Sequence, residues 1–203
     1  MLKRHALASC LILLVGFLQC GCEIATIEEP VGEPWSLKET KAIEGHWLDS
    51  DGNPLELVVV SKGDVRMGSF AWDSDKKVFV AKTESVQFRH LGMLDLAFLE
   101  VPIQPKNRFT FAKIQVRDDG SILWRLADEK LLLDAVLKGK LKGVQEKIED
   151  SKELQLHLKC NGDELAKWIA ETGEDAVFPK VEYESDTIFT KAKKPERKAL
   201  GKK

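Results

Sequence analysis

The chain has little cysteine outside its first 22 residues. Three of its four cysteines lie within residues 1–22, so Cys160 is the only cysteine in the rest of the sequence. A disulfide framework is therefore excluded, and side-chain packing has to hold the fold. Long apolar runs are also lacking. The run at residues 6–18 is too short to cross a hydrocarbon core of about 30 Å, and no later stretch reaches the roughly 18 apolar residues that a membrane-spanning helix needs.

Motifs for catalysis, nucleotide binding and metal binding are absent as well. The sequence has no H-E-x-x-H, no P-loop, no G-x-G-x-x-G and no G-x-S-x-G. Residues 49–53 are rich in oxygen ligands, but an EF-hand needs glycine and glutamate where Pro54 and Val60 stand, so they are predicted to form a hairpin turn. We therefore expect no metal, no cofactor and no catalytic residue. The alternative is a hydrolase built from dispersed acidic residues with His46 or His90.

The first 22 residues have the pattern of an export signal. Lys3 and Arg4 precede the apolar run, and small residues follow it up to Cys22, so residues 1–21 are predicted to be a signal peptide. Residues 18–22 resemble the lipobox of bacterial lipoproteins, in which a small residue precedes the cysteine that becomes the diacylated N-terminus. The resemblance implies lipid attachment at Cys22 and anchoring to a membrane of the cell envelope, because two hydrocarbon tails hold a protein stably at a bilayer. The alternative is ordinary cleavage near residue 22 and secretion without a lipid.

Two charged segments flank the predicted folded body. Residues 22–40 are acidic and contain prolines, which predicts a linker, with a short helical turn where Ser36 and Glu39 fit a capping box. Residues 191–203 hold seven lysines or arginines and one glutamate, which predicts a disordered basic tail. That tail is either solvated or in contact with an anionic envelope surface, through Lys191, Lys193, Lys194, Arg197 and Lys198. Nucleic acid is not an expected partner, because export separates the two and the body is acidic.

Residues 41–190 are predicted to form a single β-rich domain of the α+β class. Apolar runs separated by Asp-Gly and similar turn signals recur from residue 45 to about residue 125. The predicted strands are residues 55–60, 65–72, 78–80, 86–88, 94–101, 109–116 and 122–126. Short strands joined by tight turns favour antiparallel neighbours. We therefore expect a meander sheet or a small β-barrel of about seven to nine strands.

A change of period after residue 126 predicts two accessory helices. Asp128 is the expected cap of a helix from residue 129 to about residue 138, and Asn161 or Asp163 that of a second helix from residue 164 to residue 172. Between them, residues 154–160 alternate as in a half-buried strand. The alternation puts His157 on the polar side and Cys160 on the apolar side, where a thiol packs as a small hydrophobic group. A final strand is predicted near residues 181–189.

Gly45, His46 and Trp47 form the one segment that points to a ligand. A Gly-x-Trp element at the entry to the first strand resembles the element that opens lipocalins, whose tryptophan plugs one end of a β-barrel. The resemblance implies that Gly45 and Trp47 plug the barrel or line a ligand site, and that the interior holds a small apolar ligand. The predicted anchor and linker, together with the lack of catalytic motifs, indicate a non-enzymatic binding or structural module instead, with an envelope protein or polymer as its partner. Both functions stay open.

Overall fold

A computed structural model describes residues 25–73, 76–101, 108–147, 154–180 and 186–192 of the chain. The predicted signal peptide and the predicted lipid-attachment residue Cys22 lie outside the described residues. So do four of the five candidate contacts to an anionic surface, which are Lys193, Lys194, Arg197 and Lys198. Within the described ranges, no helix combines the length and the apolar character needed to cross a lipid bilayer.

The described residues form a sheet of 12 strands and four helices. The strands are β1 (Thr26–Ile27), β2 (Glu33–Pro34), β3 (Gly45–Leu48), β4 (Pro54–Ser61), β5 (Asp64–Asp73), β6 (Val78–Leu91), β7 (Leu94–Val101), β8 (Arg108–Val116), β9 (Ile122–Leu126), β10 (Gly143–Lys147), β11 (Leu154–Leu158) and β12 (Asp186–Lys191). The helices are α1 (Leu37–Ala42), α2 (Glu129–Leu137), α3 (Gly162–Thr172) and α4 (Glu174–Val177). These elements confirm the predicted α+β class.

Eight of the strands close into an antiparallel barrel, which confirms the predicted small β-barrel. Their order around the barrel is β8-β7-β6-β5-β4-β3-β12-β9, and β9 pairs with β8 to complete the ring. Strand β12 comes from the distant end of the chain. It pairs with β3 through Thr190 and Leu48 and with β9 through Ile188 and Leu123. Closure leaves none of these eight strands as an open sheet edge.

The sheet continues outside the barrel from one end of β8. The last residues of β8 pair with β9, whereas Phe109 near its start pairs with Ile27 of β1. Strand β1 is parallel to β11, and β11 is antiparallel to β10. We call β8, β1, β11 and β10 the sheet extension. It has two faces, because successive side chains of a strand point to opposite sides.

Buried apolar side chains form two clusters, separated by the wall of the barrel. On β7, Ala97 and Leu99 belong to the interior cluster, while Leu96 and Phe98 belong to the exterior cluster. The interior cluster contains Trp35, Ile43, Trp47, Leu55, Leu57, Val65, Met67, Val86, Phe88, Ala97, Leu99, Ala112, Ile114, Ile122, Trp124 and Phe189. The exterior cluster includes Leu132 and Ala135 of α2, Leu165, Trp168 and Ile169 of α3, and Leu156 and Leu158 of the sheet extension. The two accessory helices therefore pack on the outside of the barrel.

Both accessory helices begin at a predicted capping residue. The side chain of Asp128 accepts a hydrogen bond from the third backbone N–H of α2 at 3.0 Å. Asn161, rather than Asp163, caps α3. Its side chain accepts from the Glu164 N–H at 2.9 Å, while the Glu164 carboxylate accepts from the Asn161 N–H at 3.0 Å. The predicted capping box at the start of α1 is also present.

The prediction of two separate strands at residues 78–80 and 86–88 was wrong. Both belong to β6, which is 14 residues long. The intervening residues 81–85 are mostly polar, so they show no apolar run. They are nevertheless held in the sheet, because β5 pairs with β6 from Asp64 and Gln87 to Asp73 and Val78. The barrel therefore contains a long β5–β6 hairpin. Residues 81–85 of this hairpin are mostly polar, and alternate side chains among them face the barrel interior.

The segment predicted as a linker is folded from residue 25 onward. Thr26 and Ile27 are buried in the sheet extension, and Trp35 and Thr40 are buried at one end of the barrel. The acidic residues of this stretch are mostly exposed. They dominate its composition, which is why the composition did not indicate that a few side chains of the stretch are buried in the core. The folded body therefore starts before residue 41.

Strand β11 is buried on both faces, whereas a half-buried strand was predicted. Leu156 and Leu158 belong to the exterior cluster, and Gln155 and His157 on the other face are only 6% and 4% exposed. Alternation assigned the faces correctly but carried no information on what covers the polar face. Cys160, just beyond the strand, is buried as predicted. Burial raises the pKa of its thiol to about 11, so the reactive thiolate is scarce at neutral pH.

Candidate functional site

Trp47 lies inside the barrel, at the end where β3 begins. Its indole N–H donates to the carbonyl oxygen of Ile43 at 2.9 Å, and both residues are 2% exposed. Lys191 of β12 is the sheet partner of Trp47, and its ammonium lies over the indole, 5.4 Å from the ring centroid. Gly45 opens β3 with a φ of 125°, which side-chain-bearing residues rarely adopt. We call this the plugged end of the barrel, because the turn before β3 and the last strand meet on Trp47.

A second tryptophan closes the plugged end. Trp35 stacks on Phe88 of β6, with ring centroids 5.1 Å apart. Its indole N–H donates to Asp95 Oδ1 at 2.9 Å, and His90 Nδ1 lies 2.7 Å from the same oxygen. His90 Nε2 faces Glu39 of α1 at 3.5 Å. Because both ring nitrogens of His90 face a carboxylate, this network holds α1 against β6 and β7.

Aromatic side chains fill the half of the interior next to the plugged end. Trp124 of β9 meets Phe88 and Phe189 edge to face, with centroids 6.1 Å and 5.5 Å apart. The Trp124 indole N–H is buried and has no hydrogen-bond partner among the described residues. Native proteins seldom bury a donor without an acceptor. This half of the barrel is thus packed, yet the described residues leave the Trp124 donor unsatisfied.

The opposite half of the interior is lined in part by polar side chains. On the paired strands β5 and β6, Met67 lies opposite Glu84 and Ser69 lies opposite Lys82. Glu84 and Lys82 face inward, because they alternate in step with Val86, which is 1% exposed and belongs to the interior cluster. We call this the open end of the barrel: β5 ends there and β6 begins there.

Glu84 is an acidic side chain placed against an apolar wall. Met67 across the sheet is 5% exposed, and Val86 on the same strand is 1% exposed. Burial raises the pKa of Glu84, and the positive charge of Lys82 lowers it to a smaller extent. No hydrogen bond or salt bridge joins the Glu84 carboxyl to another described residue. An ionisable group kept in an interior without a partner costs free energy, and such groups cluster at functional sites.

The oxygen-rich segment at residues 49–53 forms the predicted hairpin turn. Asp49 Oδ1 accepts from the backbone N–H groups of Asp51 and Asn53 at 2.9 Å and 2.7 Å, and Oδ2 accepts from the Asn53 side chain at 3.0 Å. The carboxylate is therefore used by the turn itself. In the described part of the chain, no group of three or more His, Cys, Asp or Glu side chains is arranged to hold a metal ion.

Three of the predicted site residues come together at the plugged end: Gly45, Trp47 and Lys191. Lys191 belongs to β12 and not to a tail, although its side chain is exposed. Sequence reasoning missed Lys82 and Glu84. The sequence could have indicated them through alternation along the strand. If β6 is continuous, residues 82, 84, 86 and 88 all face the same side of the sheet. With separate strands predicted at residues 78–80 and 86–88, both charged residues fell between them and were assigned to no face of the sheet.

Comparison with protein-family models, with curated proteins and with solved structures finds no match for this chain. The geometry of the barrel therefore carries the functional argument.

Proposed function

We propose that this chain is an exported, lipid-anchored, non-enzymatic binding protein of the cell envelope, whose barrel takes up a small, largely apolar molecule at its open end. The pattern of residues 1–22 supports export and anchoring through Cys22. The closed barrel is compatible with lipocalin-like binding. In this proposal, the lipid holds the barrel beside a membrane.

The observation that carries the binding proposal is Glu84. Small-molecule sites are mostly apolar and contain a few polar groups that orient the ligand. The open half of the barrel has this composition: Met67, Val86 and Leu99 offer apolar contact, while Glu84 and Lys82 offer charge. A carboxyl that forms no hydrogen bond with another described residue is the group that a polar substituent of the ligand would meet.

The aromatic cluster limits how deeply a ligand enters. Phe88, Trp124 and Phe189 occupy the plugged half, so the apolar part of a ligand ends against them. The Trp124 indole N–H is a second group without a partner in the described interior. A ligand with an acceptor at its inner end would satisfy it. The site therefore favours a short, mainly apolar molecule over a long acyl chain.

A dye titration with a matched pair of variants tests this site. N-phenylnaphthylamine is a suitable probe, because it is apolar, has one N–H donor and brightens when water is excluded. Ser69→Phe places a ring inside the open end, since Ser69 faces inward between Leu55 and Lys82. Thr83→Phe is the control: Thr83 is exposed and faces outward from the neighbouring position of β6.

We expect saturable one-site binding to the parent chain, an affinity at least about ten-fold weaker for Ser69→Phe, and an unchanged affinity for Thr83→Phe; ten-fold corresponds to about 1.4 kcal/mol. Circular dichroism checks that both variants fold. Absence of saturable binding to the parent chain, or equal affinities for all three proteins, would contradict a site at the open end.

The anchor is tested separately, by mass spectrometry of the mature N-terminus. A diacylglyceryl-modified Cys22 is the expected result. An unmodified N-terminus at another residue would exclude the lipid and leave the binding proposal to the dye titration.

A further inference from the structure

The sheet extension carries a buried polar cluster on the face that points away from α2 and α3. Thr26, Gln155 and His157 are 0%, 6% and 4% exposed. Thr26 is paired with His157, and Gln155 is paired with Glu146 of β10. Their neighbours Ile27 and Leu158 point to the opposite face, into the exterior cluster. Three polar side chains thus share a covered surface that the barrel site does not use.

Hydrogen bonds in this cluster indicate which imidazole nitrogen carries the proton. The Thr26 hydroxyl donates to the carbonyl oxygen of Leu156 at 3.3 Å, so its single hydrogen is used there. His157 Nδ1 lies 3.3 Å from the same hydroxyl oxygen. The hydroxyl is left as an acceptor, and Nδ1 is therefore the donor. Burial lowers the pKa of His157, and the positive charge of Arg108 lowers it further, so the ring is neutral at pH 7 and Nε2 presents a lone pair.

Gln155 supplies a second acceptor on the same face. Its Oε1 atom is buried and has no hydrogen-bond partner among the described residues. Gln155 and His157 are two residues apart on β11, so their side chains lie about 7 Å apart along the strand. The covered surface therefore presents two neighbouring acceptors, and no described residue supplies a donor to Gln155 Oε1.

An ion pair passes over these acceptors. Arg108 of β8 pairs with Glu146 of β10, although β1 and β11 lie between those strands. Three strand spacings amount to about 14 Å, so the two side chains reach toward each other above β1 and β11. Lys159 Nζ lies 3.9 Å from Glu146 as well. The Arg108 and Glu146 side chains are 18% and 38% exposed, which places them between the acceptors and the solvent.

We propose that this polar face is a second ligand site, independent of the barrel site, for a small molecule whose head group presents N–H donors, such as a primary ammonium, an amide or a guanidinium. The donors meet Gln155 Oε1 and His157 Nε2. The Glu146 carboxylate, which now holds the guanidinium of Arg108, faces the same head group when that ion pair opens. The Arg108–Glu146 ion pair thus covers the two acceptors and has to open before the head group can reach them.

Histidine resonances give a direct readout of this site. The chain has four histidines, so a sample of the full chain in detergent, labelled with ¹⁵N at histidine, gives few imidazole signals to assign. Ethylammonium, acetamide and acetate serve as probes of a cationic donor, a neutral donor and an anion. Gln155→Leu removes the unsatisfied acceptor. Gln145→Leu, at an exposed position on β10, is the matched control.

We expect His157 to show the Nδ1–H tautomer, and its Nε2 signal to shift saturably with ethylammonium or acetamide but not with acetate. Gln155→Leu should weaken that binding at least about ten-fold, while Gln145→Leu leaves it unchanged. Because an apolar side chain at this position has no acceptor to leave unsatisfied, the Gln155→Leu variant should fold and melt no lower than the parent chain.

Three outcomes would overturn the proposal. A response to acetate at least as strong as the response to the two donor probes would indicate an anion site, and the absence of any saturable response would indicate that only a water is buried there. Equal binding of the donor probes by Gln155→Leu and by the parent chain would show that Gln155 is not part of a site. The dye titration of the barrel is unaffected by any of them.

Discussion

Replacement of Trp47 by phenylalanine tests the plugged end most directly. The change keeps an aromatic ring in the barrel but removes the N–H that donates to Ile43 at 2.9 Å. The carbonyl oxygen belongs to a residue that is 2% exposed, and leaving a buried acceptor unsatisfied costs about 1–3 kcal/mol. The smaller ring also weakens the contact with the Lys191 ammonium, which is worth about 0.5–1 kcal/mol at an exposed site.

Together these terms predict that Trp47→Phe lowers the free energy of unfolding by about 1.5–4 kcal/mol, against a total of about 5–15 kcal/mol for a domain. For a chain of this size the melting temperature should fall by roughly 3–16 °C. Urea unfolding followed by circular dichroism measures the loss. His46→Gln, at the exposed neighbouring position, is the control and should change stability by less than about 0.5 kcal/mol.

A double-mutant cycle separates the two terms. In a Lys191→Met background, Trp47→Phe should cost about 0.5–1 kcal/mol less than in the parent chain, because the cation is already gone. If Trp47→Phe costs no more than the control, the turn at Ile43 does not depend on the indole. The account of the plug would then be refuted.

Three further predictions concern single buried groups. Burial raises the folded-state pKa of Glu84 above its unfolded value, so the contribution of this one group to stability is greatest below the ordinary glutamate pKa and is lost as the pH rises through the raised one. Glu84→Gln should therefore be more stable than the parent chain at pH 7, with an advantage that vanishes in urea titrations near pH 3; an advantage that persists in acid would contradict this. Thr40→Val should cost about 1–3 kcal/mol in urea unfolding, because the buried Thr40 hydroxyl oxygen accepts from the Gly63 N–H at 3.0 Å; a neutral effect would mean that water replaces it. Cys160 should react with a maleimide at pH 7 only at the rate of unfolding, and fast labelling in native buffer would contradict its burial.

Local patterns predicted the elements whose stability depends on neighbouring residues in the chain. The capping residues Asp128 and Asn161 stand where α2 and α3 begin. Each side chain accepts a hydrogen bond from the backbone N–H three residues later, so the cap depends only on residues that are close in sequence. Strand β7 was predicted with the bounds that the structure has, since its apolar segment is interrupted only by Asp95 and Glu100 and is followed by a proline. Strand β6 was not, because its polar middle section is held by β5 rather than by its own sequence.

Burial of polar side chains could not be read from periodicity. Alternation put His157 on the face opposite Leu156 and Leu158, which is correct, but it could not show that Arg108 and Glu146 meet above that face. The same holds for Glu84. It faces inward because of the way β6 is aligned with β5, and the residues around it belong to other strands, so the local sequence does not show its burial. The polar residues of both candidate sites are therefore ones that the sequence alone presents as surface.

The amino-acid sequence by itself determined the alternation of strands and turns and the starts of the helices, because each depends on groups within a few residues of one another. It also excluded a disulfide framework, because only one cysteine lies beyond residue 22. Tertiary structure alone decided the closure of the barrel, where β12 enters between β3 and β9 from the far end of the chain. It also decided the meeting of Trp47 with Lys191 and of Arg108 with Glu146. These contacts join residues that are distant in sequence, and their free energy is gained only after the chain between them has been ordered.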